Sequence, residues 1–246
     1  MATPPVFLVD RLPQQDETVL DGAEGRHAAT VRRMRAGEQL LLSDGRGELA
    51  DCEVITAEQA ALRLAVLRRW HQPPPQPRVV LAQALIKGDR GELAVELATE
   101  AGVDEIVPWR ASRCIARWDD GPRGAKALAK WQAAATQAAK QARRAYVPEV
   151  AQPVSTGQLA ERTSGAARAL VLHESATSAL SGQALPDSGD LVLVVGPEGG
   201  LTDDELATLA AAGAVPTRLG PSVLRASTAA AVALGAIGVL TSRWLA

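Results

Sequence analysis

The sequence predicts an α/β protein in two parts, a small β-barrel followed by a larger α/β domain built on a mostly parallel sheet. Three observations carry this. The run Gln72-Pro73-Pro74-Pro75-Gln76-Pro77 cannot lie inside a helix or a central strand, because proline lacks the N–H that either would use. It reads as a stiff linker over 73–78, separating a first domain (1–72) from a second (79–246). Before it, short alternating apolar runs signal strands. After it, strand-length apolar runs alternate with helix-length segments, the pattern of a sheet covered on both faces.

In the first part, Val6 to Val9 is a strand candidate. Glu38 to Leu42 and Glu48 to Ile55 flank Ser43-Asp44-Gly45-Arg46-Gly47 and form a hairpin, and Ala61 to Leu67 is a further alternating run. A short helix is expected over Gly25 to Arg33. In the second part, strands are expected over Val79 to Ile86, Val103 to Pro108, Ala169 to His173, Leu191 to Val195 and Thr217 to Leu219. Helices are expected over Gly91 to Ala101, Ala125 to Ala145, Thr202 to Ala212 and Ser227 to Trp244. Thr202 followed by Glu205 is a capping box worth about 1 kcal/mol, and Ser227 or Thr228 can cap the last helix. Small residues there (Ala231, Gly235, Gly238) admit a close neighbour, either within the chain or from a second subunit.

Hydrophobic residues make up 47% of the 246 but aromatics only 3%, so the core is built from alanine, leucine and valine. The formal charge of −2 gives no bulk argument for nucleic acid; the distribution does. Gly121 to Pro148 carries six cations and no acid, and Arg26, Arg32, Arg33 and Arg35 surround His27. Two such clusters in a slightly acidic chain point to an anionic partner. Cys52 and Cys114 lie far apart and suggest neither a disulfide nor a metal site. No signal peptide is evident, and Ala229 to Leu240 is too short to span a bilayer. A cytoplasmic protein without a membrane partner is the expectation.

Chemistry is signalled where the apolar run Leu191 to Val195 stops in Gly196-Pro197-Glu198-Gly199-Gly200, answered later by Leu219-Gly220-Pro221-Ser222-Val223-Leu224-Arg225. In a parallel sheet, ligands bind beyond the carboxyl ends of the strands. Two such loops, with His173-Glu174 ending another strand, predict a small-molecule site made largely of main chain. Neither loop is followed by Lys-Ser or Lys-Thr, and neither fits G-x-G-x-x-G, which argues against a P-loop NTPase and a dinucleotide-dependent dehydrogenase.

The chain resembles the bacterial 16S ribosomal RNA (uracil-N3)-methyltransferase family of the SPOUT superfamily. The resemblance rests on motifs ordered along almost the whole chain: His27 to Glu38, the Asp44-Gly45 hairpin, Gln83, Lys87, Glu92 and Glu100 to Val103, Ser112-Arg113-Cys114, Lys130-Trp131, Gln141 with Arg144 and Val147-Pro148-Glu149, and the two glycine loops. It implies an N-terminal PUA-like barrel, a C-terminal SPOUT domain with a deep trefoil knot, a homodimer, and S-adenosylmethionine as methyl donor with no metal. The implied substrate is a uridine of 16S rRNA near the decoding region, within the small ribosomal subunit. The family commonly carries arginine where this chain has Ser222, glutamate where it has Ser227, and often glutamate where it has Lys140.

On this reading the donor is held by His173, Glu174, Gly196, Pro197, Glu198, Gly199, Gly200, Leu219, Gly220, Ser222, Val223, Leu224, Arg225 and Thr228. Arg225 stabilises charge developing on uracil, and Glu198 is the candidate base. RNA contacts fall to Arg26, His27, Arg32, Arg33, Arg35, Lys87, Lys140, Arg143 and Arg144. Two alternatives stay open: a ribose 2′-O-methyltransferase of the same superfamily, and a non-catalytic RNA-binding protein.

Overall fold

A computed structural model describes residues 4–245. The outermost residues of both expected domains, Met1 to Thr3 and Ala246, lie outside that range. The chain divides into two compact units, the first comprising residues 1–74 and 139–147 and the second 75–138 and 148–246. The expected contiguous division therefore differs in one respect, because Ala139–Val147 belongs with the first unit.

The first unit contains β1 (Val6–Leu8), β2 (Glu17–Leu20), α1 (Gly22–Arg26), β3 (Gln39–Ser43), β4 (Glu48–Ala57) and β5 (Leu62–His71). They form a mixed half-barrel in the order β1-β3-β4-β5-β2, with β1 parallel to β3 and the other pairs antiparallel. Alternation places Leu62, Leu64 and Val66 of β5 in the core while Arg63 and Ala65 face outward. The β3–β4 hairpin forms as expected; Asp44 Oδ1 accepts from the N–H groups of Arg46 and Glu48 at 2.7 and 3.1 Å. The sequence reading missed β2, whose four residues carry only one fully buried side chain.

The expected helix over Gly25 to Arg33 is corrected. α1 ends at Arg26 and continues as a π-helical turn, His27–Val31. Arg32, Arg33 and Arg35 follow that turn rather than lying on a helix. Arg33 takes a left-handed backbone, φ 54°.

The second unit contains β6 (Arg78–Ala84), α2 (Arg90–Glu100), β7 (Glu105–Trp109), most of α3 (Pro122–Gln141), β8 (Glu149–Val150), α4 (Thr156–Ser164), β9 (Arg168–Leu172), β10 (Asp190–Val195), α5 (Asp203–Ala211), β11 (Val215–Thr217) and α6 (Ala226–Leu240). The sheet is wholly parallel, in the order β11-β9-β10-β6-β7-β8. Val79 to Ala82 and Leu191 to Val195 are no more than 3% exposed, as central strands covered on both faces must be. Short β8 and capped α4 escaped the sequence reading, although Ser155 and Gln158 form a capping box.

α3 stops at Gln141, not Ala145. The Arg144 N–H bonds Ala139 O and the Arg143 N–H bonds Lys140 O, a Schellman ending with Arg143 at the left-handed position, φ 55°. Arg143 and Arg144 thus lie beyond the helix. α6 begins with Arg225 as its cap and no side-chain capping bond; the expected Ser227 or Thr228 cap does not form. A Cβ on Gly238 would stand 2.4 Å from the Trp244 ring, and one on Gly235 3.5 Å from it. These small residues make room within the chain.

Candidate active site

The registers of the second sheet set the site. Val195 pairs with Leu172, and Leu172 pairs with Thr217, so β9, β10 and β11 end level. The chain leaving all three lines one cavity of about 640 Å³, within the range that holds a small molecule.

His173 and Glu174 line it from the end of β9, and Gly196 to Gly200 from the end of β10. Leu219, Gly220, Ser222, Val223, Leu224 and Arg225 line it between β11 and α6. Thr228 does not: its hydroxyl turns back to donate to Arg225 O at 3.1 Å, which removes it from the expected donor-binding set. Lys87 is exposed and off the cavity wall.

The main chain of Leu219 to Leu224 makes no hydrogen bond among the described residues. A six-residue segment on a cavity wall with every peptide group unengaged is open to a ligand. Gly220 adds to this. Its φ is not positive, and a Cβ there would meet nothing within 4 Å. Protein packing does not demand glycine at this position; keeping the cavity clear does. The β10 loop differs, because a Cβ on Gly196 would stand 2.5 Å from Leu201 Cδ1 and Gly200 has φ +71°, so folding alone accounts for both.

Two residues without an assigned role hold the β10 loop. Arg113 Nη1 donates to Gly199 O at 3.1 Å and Leu201 O at 3.2 Å. Glu205, 4% exposed, accepts from Ser112 N at 2.7 Å, Thr202 N at 2.9 Å and Thr202 Oγ1 at 3.0 Å, and the Thr156 hydroxyl approaches at 3.4 Å. The expected capping box is therefore present, and it also ties the chain after β7 to the chain after β10. Burial would raise the Glu205 carboxyl, but the bonds from Thr202 and Ser112 outweigh it and hold the group below the ordinary value of 4.5. The signal available in the sequence was Ser112-Arg113-Cys114. Burial, above all, pushes the Cys114 thiol up, and the Glu198 and Glu205 carboxylates add to this against backbone hydrogen bonds.

Arg225 is exposed on the cavity wall with no side-chain partner among the described residues, and so is Glu198. Arg90, Arg113, Arg218 and buried Ser227 also line the cavity; the sequence reading gave none of them a place in the site.

In the first unit, Arg26, His27, Arg32, Arg33, Arg35 and Arg143 are exposed and Arg144 is half-buried. His27 packs near Phe7, ring centroids 6.1 Å apart. Lys140 is different: its ammonium is 2.5 Å from Glu24 Oε1, and the side chain is only 13% exposed. It is committed to that pair and is removed from the RNA-contacting set. Both cysteines are free and buried. No helix is long and apolar enough to cross a membrane, and no cluster of three His, Cys, Asp or Glu among the described residues is placed for a metal.

The first unit is a mixed half-barrel and the second a parallel α/β sheet with a cavity at its strand ends. Residues 72–238 match the RNA methyltransferase domain model, and residues 20–64 the RNA methyltransferase PUA domain model. The chain belongs to the ribosomal RNA small subunit methyltransferase E family. It is 55% identical to the protein of that name from Mycobacterium bovis, over 97% of this chain and 93% of the relative. It is 32% identical to the one from Bacillus subtilis, over 96% of each. Among solved structures it is similar to the Neisseria gonorrhoeae ribosomal RNA small subunit methyltransferase E bound to S-adenosyl methionine, with a TM-score of 0.85, 26% identity, and coverage of 97% and 98%.

Proposed function

We propose that this protein transfers a methyl group from S-adenosylmethionine to N3 of uracil at one uridine of 16S rRNA, near the decoding region of the small ribosomal subunit. The observation that carries the reading is the unengaged main chain of Leu219 to Leu224 on the wall of a cavity kept clear by Gly220. Bound there, S-adenosylmethionine supplies an activated methyl group on a sulfonium, which leaves alignment as the main catalytic task.

The residues divide that task. Peptide groups of Leu219 to Leu224 and of Gly196 to Gly200 hold the adenine and ribose, and Glu174 accepts from ribose hydroxyls beside His173. As the N3–CH₃ bond forms and the C–S bond breaks, N3 must lose its proton and negative charge grows on O2 and O4. Arg225 stabilises that charge with its planar donors. Glu198, exposed and unpartnered, takes the proton.

RNA is gripped by the first unit through Arg26, His27, Arg32, Arg33, Arg35, Arg143 and Arg144, with Lys87 contributing from the second. Arg33 and Arg143 support this role. They are the two non-glycine residues with left-handed backbone among the described residues, a conformation that costs about 1 kcal/mol and favours glycine. An arginine kept there points to a use for its side chain. The protein acts in the cytoplasm as a homodimer whose catalytic domain is knotted; exposed Val232 and Val239 on α6, one helical face, suit a subunit contact.

The test is nucleoside mass spectrometry of 16S rRNA from wild-type and deletion cells. Loss of N3-methyluridine on deletion, with return on complementation, is expected. Loss of a ribose-methylated uridine instead would move the protein to the ribose-methylating class.

A further inference from the structure

The cavity wall carries more positive charge than a methyl donor can use. Arg90, Arg113, Arg218 and Arg225 line it, against two carboxylates, Glu174 and Glu198. No ion pair joins any of the four to a carboxylate among the described residues. Four other arginines of the same unit are paired with acids: Arg78 with Glu105 and Asp190, Arg110 with Asp120, Arg162 with Glu105, and Arg243 with Asp104.

S-adenosylmethionine is itself a net cation, with a sulfonium and an ammonium against one carboxylate. Its carboxylate can satisfy one guanidinium, which leaves a surplus that repels the sulfonium. Two of the arginines are also placed against helix electrostatics. Arg90 is the first residue of the eleven-residue α2 and Arg225 caps the fifteen-residue α6, positions that favour anions. An anion there would be held by guanidinium groups and helix ends together.

We propose that Arg90 and Arg218, on the wall of the cavity that Arg113 and Arg225 also line, form a phosphodiester-binding site that takes the RNA backbone flanking the target uridine. This rests on the reading of the cavity as a uridine-methylating site. It gives the catalytic unit its own grip on RNA, separate from the arginines of the first unit. Arg113 keeps only Nη1 on the β10 loop, so its remaining donors are available. Arg90 and Arg218 have no side-chain partner among the described residues, and both are exposed, so their replacement should leave the melting temperature unchanged.

The experiment measures binding of a 20-nucleotide oligouridylate against salt concentration, and S-adenosylmethionine binding by calorimetry, for the parent and for R90Q/R218Q. Each lost single-strand phosphate contact lowers the slope of log K against log salt by about 0.7, so the double variant should lose about 1.4, and R90Q or R218Q alone half of that. Donor affinity should stay within twofold, and R90K/R218K should recover the slope. An unchanged slope overturns the proposal. An unchanged slope with a tenfold weaker donor would assign these arginines to the donor carboxylate instead. Turnover of the parent on unmodified small subunits is read separately: if the parent fails there, the uracil-methylating function falls, whereas an unchanged slope in an active parent removes only the phosphate site.

Discussion

Strand β5 and the cavity of the second unit both concentrate arginine and use it in opposite ways. On β5, Arg63 faces Glu17, Arg68 faces Asp51 and Arg69 faces Asp16, while His71 meets Glu48. Arg68-Arg69-Trp70-His71 is a local run of basic and aromatic side chains. Folded, its two arginines are paired with acids, and Arg68 lies over the Trp70 ring at 4.4 Å. The cavity arginines have no acidic partner among the described residues. Charge that the fold has already satisfied is structural; charge that it leaves open is available for binding.

The largest effect that separates the two regions should come from Arg225→Gln. Loss of one donor to a developing oxyanion costs about a hundredfold to a thousandfold in turnover, with the melting temperature unchanged. Single-turnover methylation of unmodified small subunits checks it, and parental rates would remove Arg225 from the chemistry. Next is Gly220→Leu, which places a side chain where nothing stands within 4 Å. Donor affinity should fall at least about tenfold, roughly 1.4 kcal/mol, without loss of stability. A donor that binds as before would mean that the cavity wall has been assigned wrongly.

Glu205→Gln acts on the frame rather than the lining. It should lower stability by about 2 kcal/mol and weaken the donor severalfold. Because the folded carboxyl titrates below 4.5, its contribution is complete above that pH and is lost as pH falls through the lowered value. Denaturant melts of the variant should therefore show less acid sensitivity than the parent; parallel pH profiles would deny Glu205 this role.

Arg143→Gly tests whether strain is being tolerated for binding. The variant should be more stable by about 0.5–1 kcal/mol and bind RNA more weakly, and a variant that gains stability with undiminished binding would show that the arginine serves nothing there. The smallest effect belongs to Arg63→Gln on β5. Its pair is 57% and 56% exposed, so stability should shift by no more than about 0.5 kcal/mol and the salt slope of RNA binding should not move. A reduced slope would blur the contrast between the two regions.

Long periodic elements were legible in the sequence. The central strands β6 and β10 read as unbroken apolar runs because both faces are covered, and α5 announced itself through Thr202 and Glu205. Elements fixed by their neighbours were not legible. β2 and β8 are too short to carry a pattern, and the π-helical turn at His27–Val31 and the ending of α3 at Arg143 obey no sequence preference. The two cavity-lining loops were legible because glycine and proline punctuate a strand end. Arg90 and Arg218 were not, since an arginine beside a strand end has no local signature of what it faces.

The sequence by itself determined the two-part α/β architecture and the strand ends around which the cavity lies, because hydrophobic periodicity and the conformational limits of proline and glycine act locally. Tertiary structure alone decided which charges are free. Lys140 and Arg63 meet acids 116 and 46 residues away, and the cavity arginines meet none among the described residues, an outcome that depends on chain segments brought together by the fold and is invisible to any window of sequence.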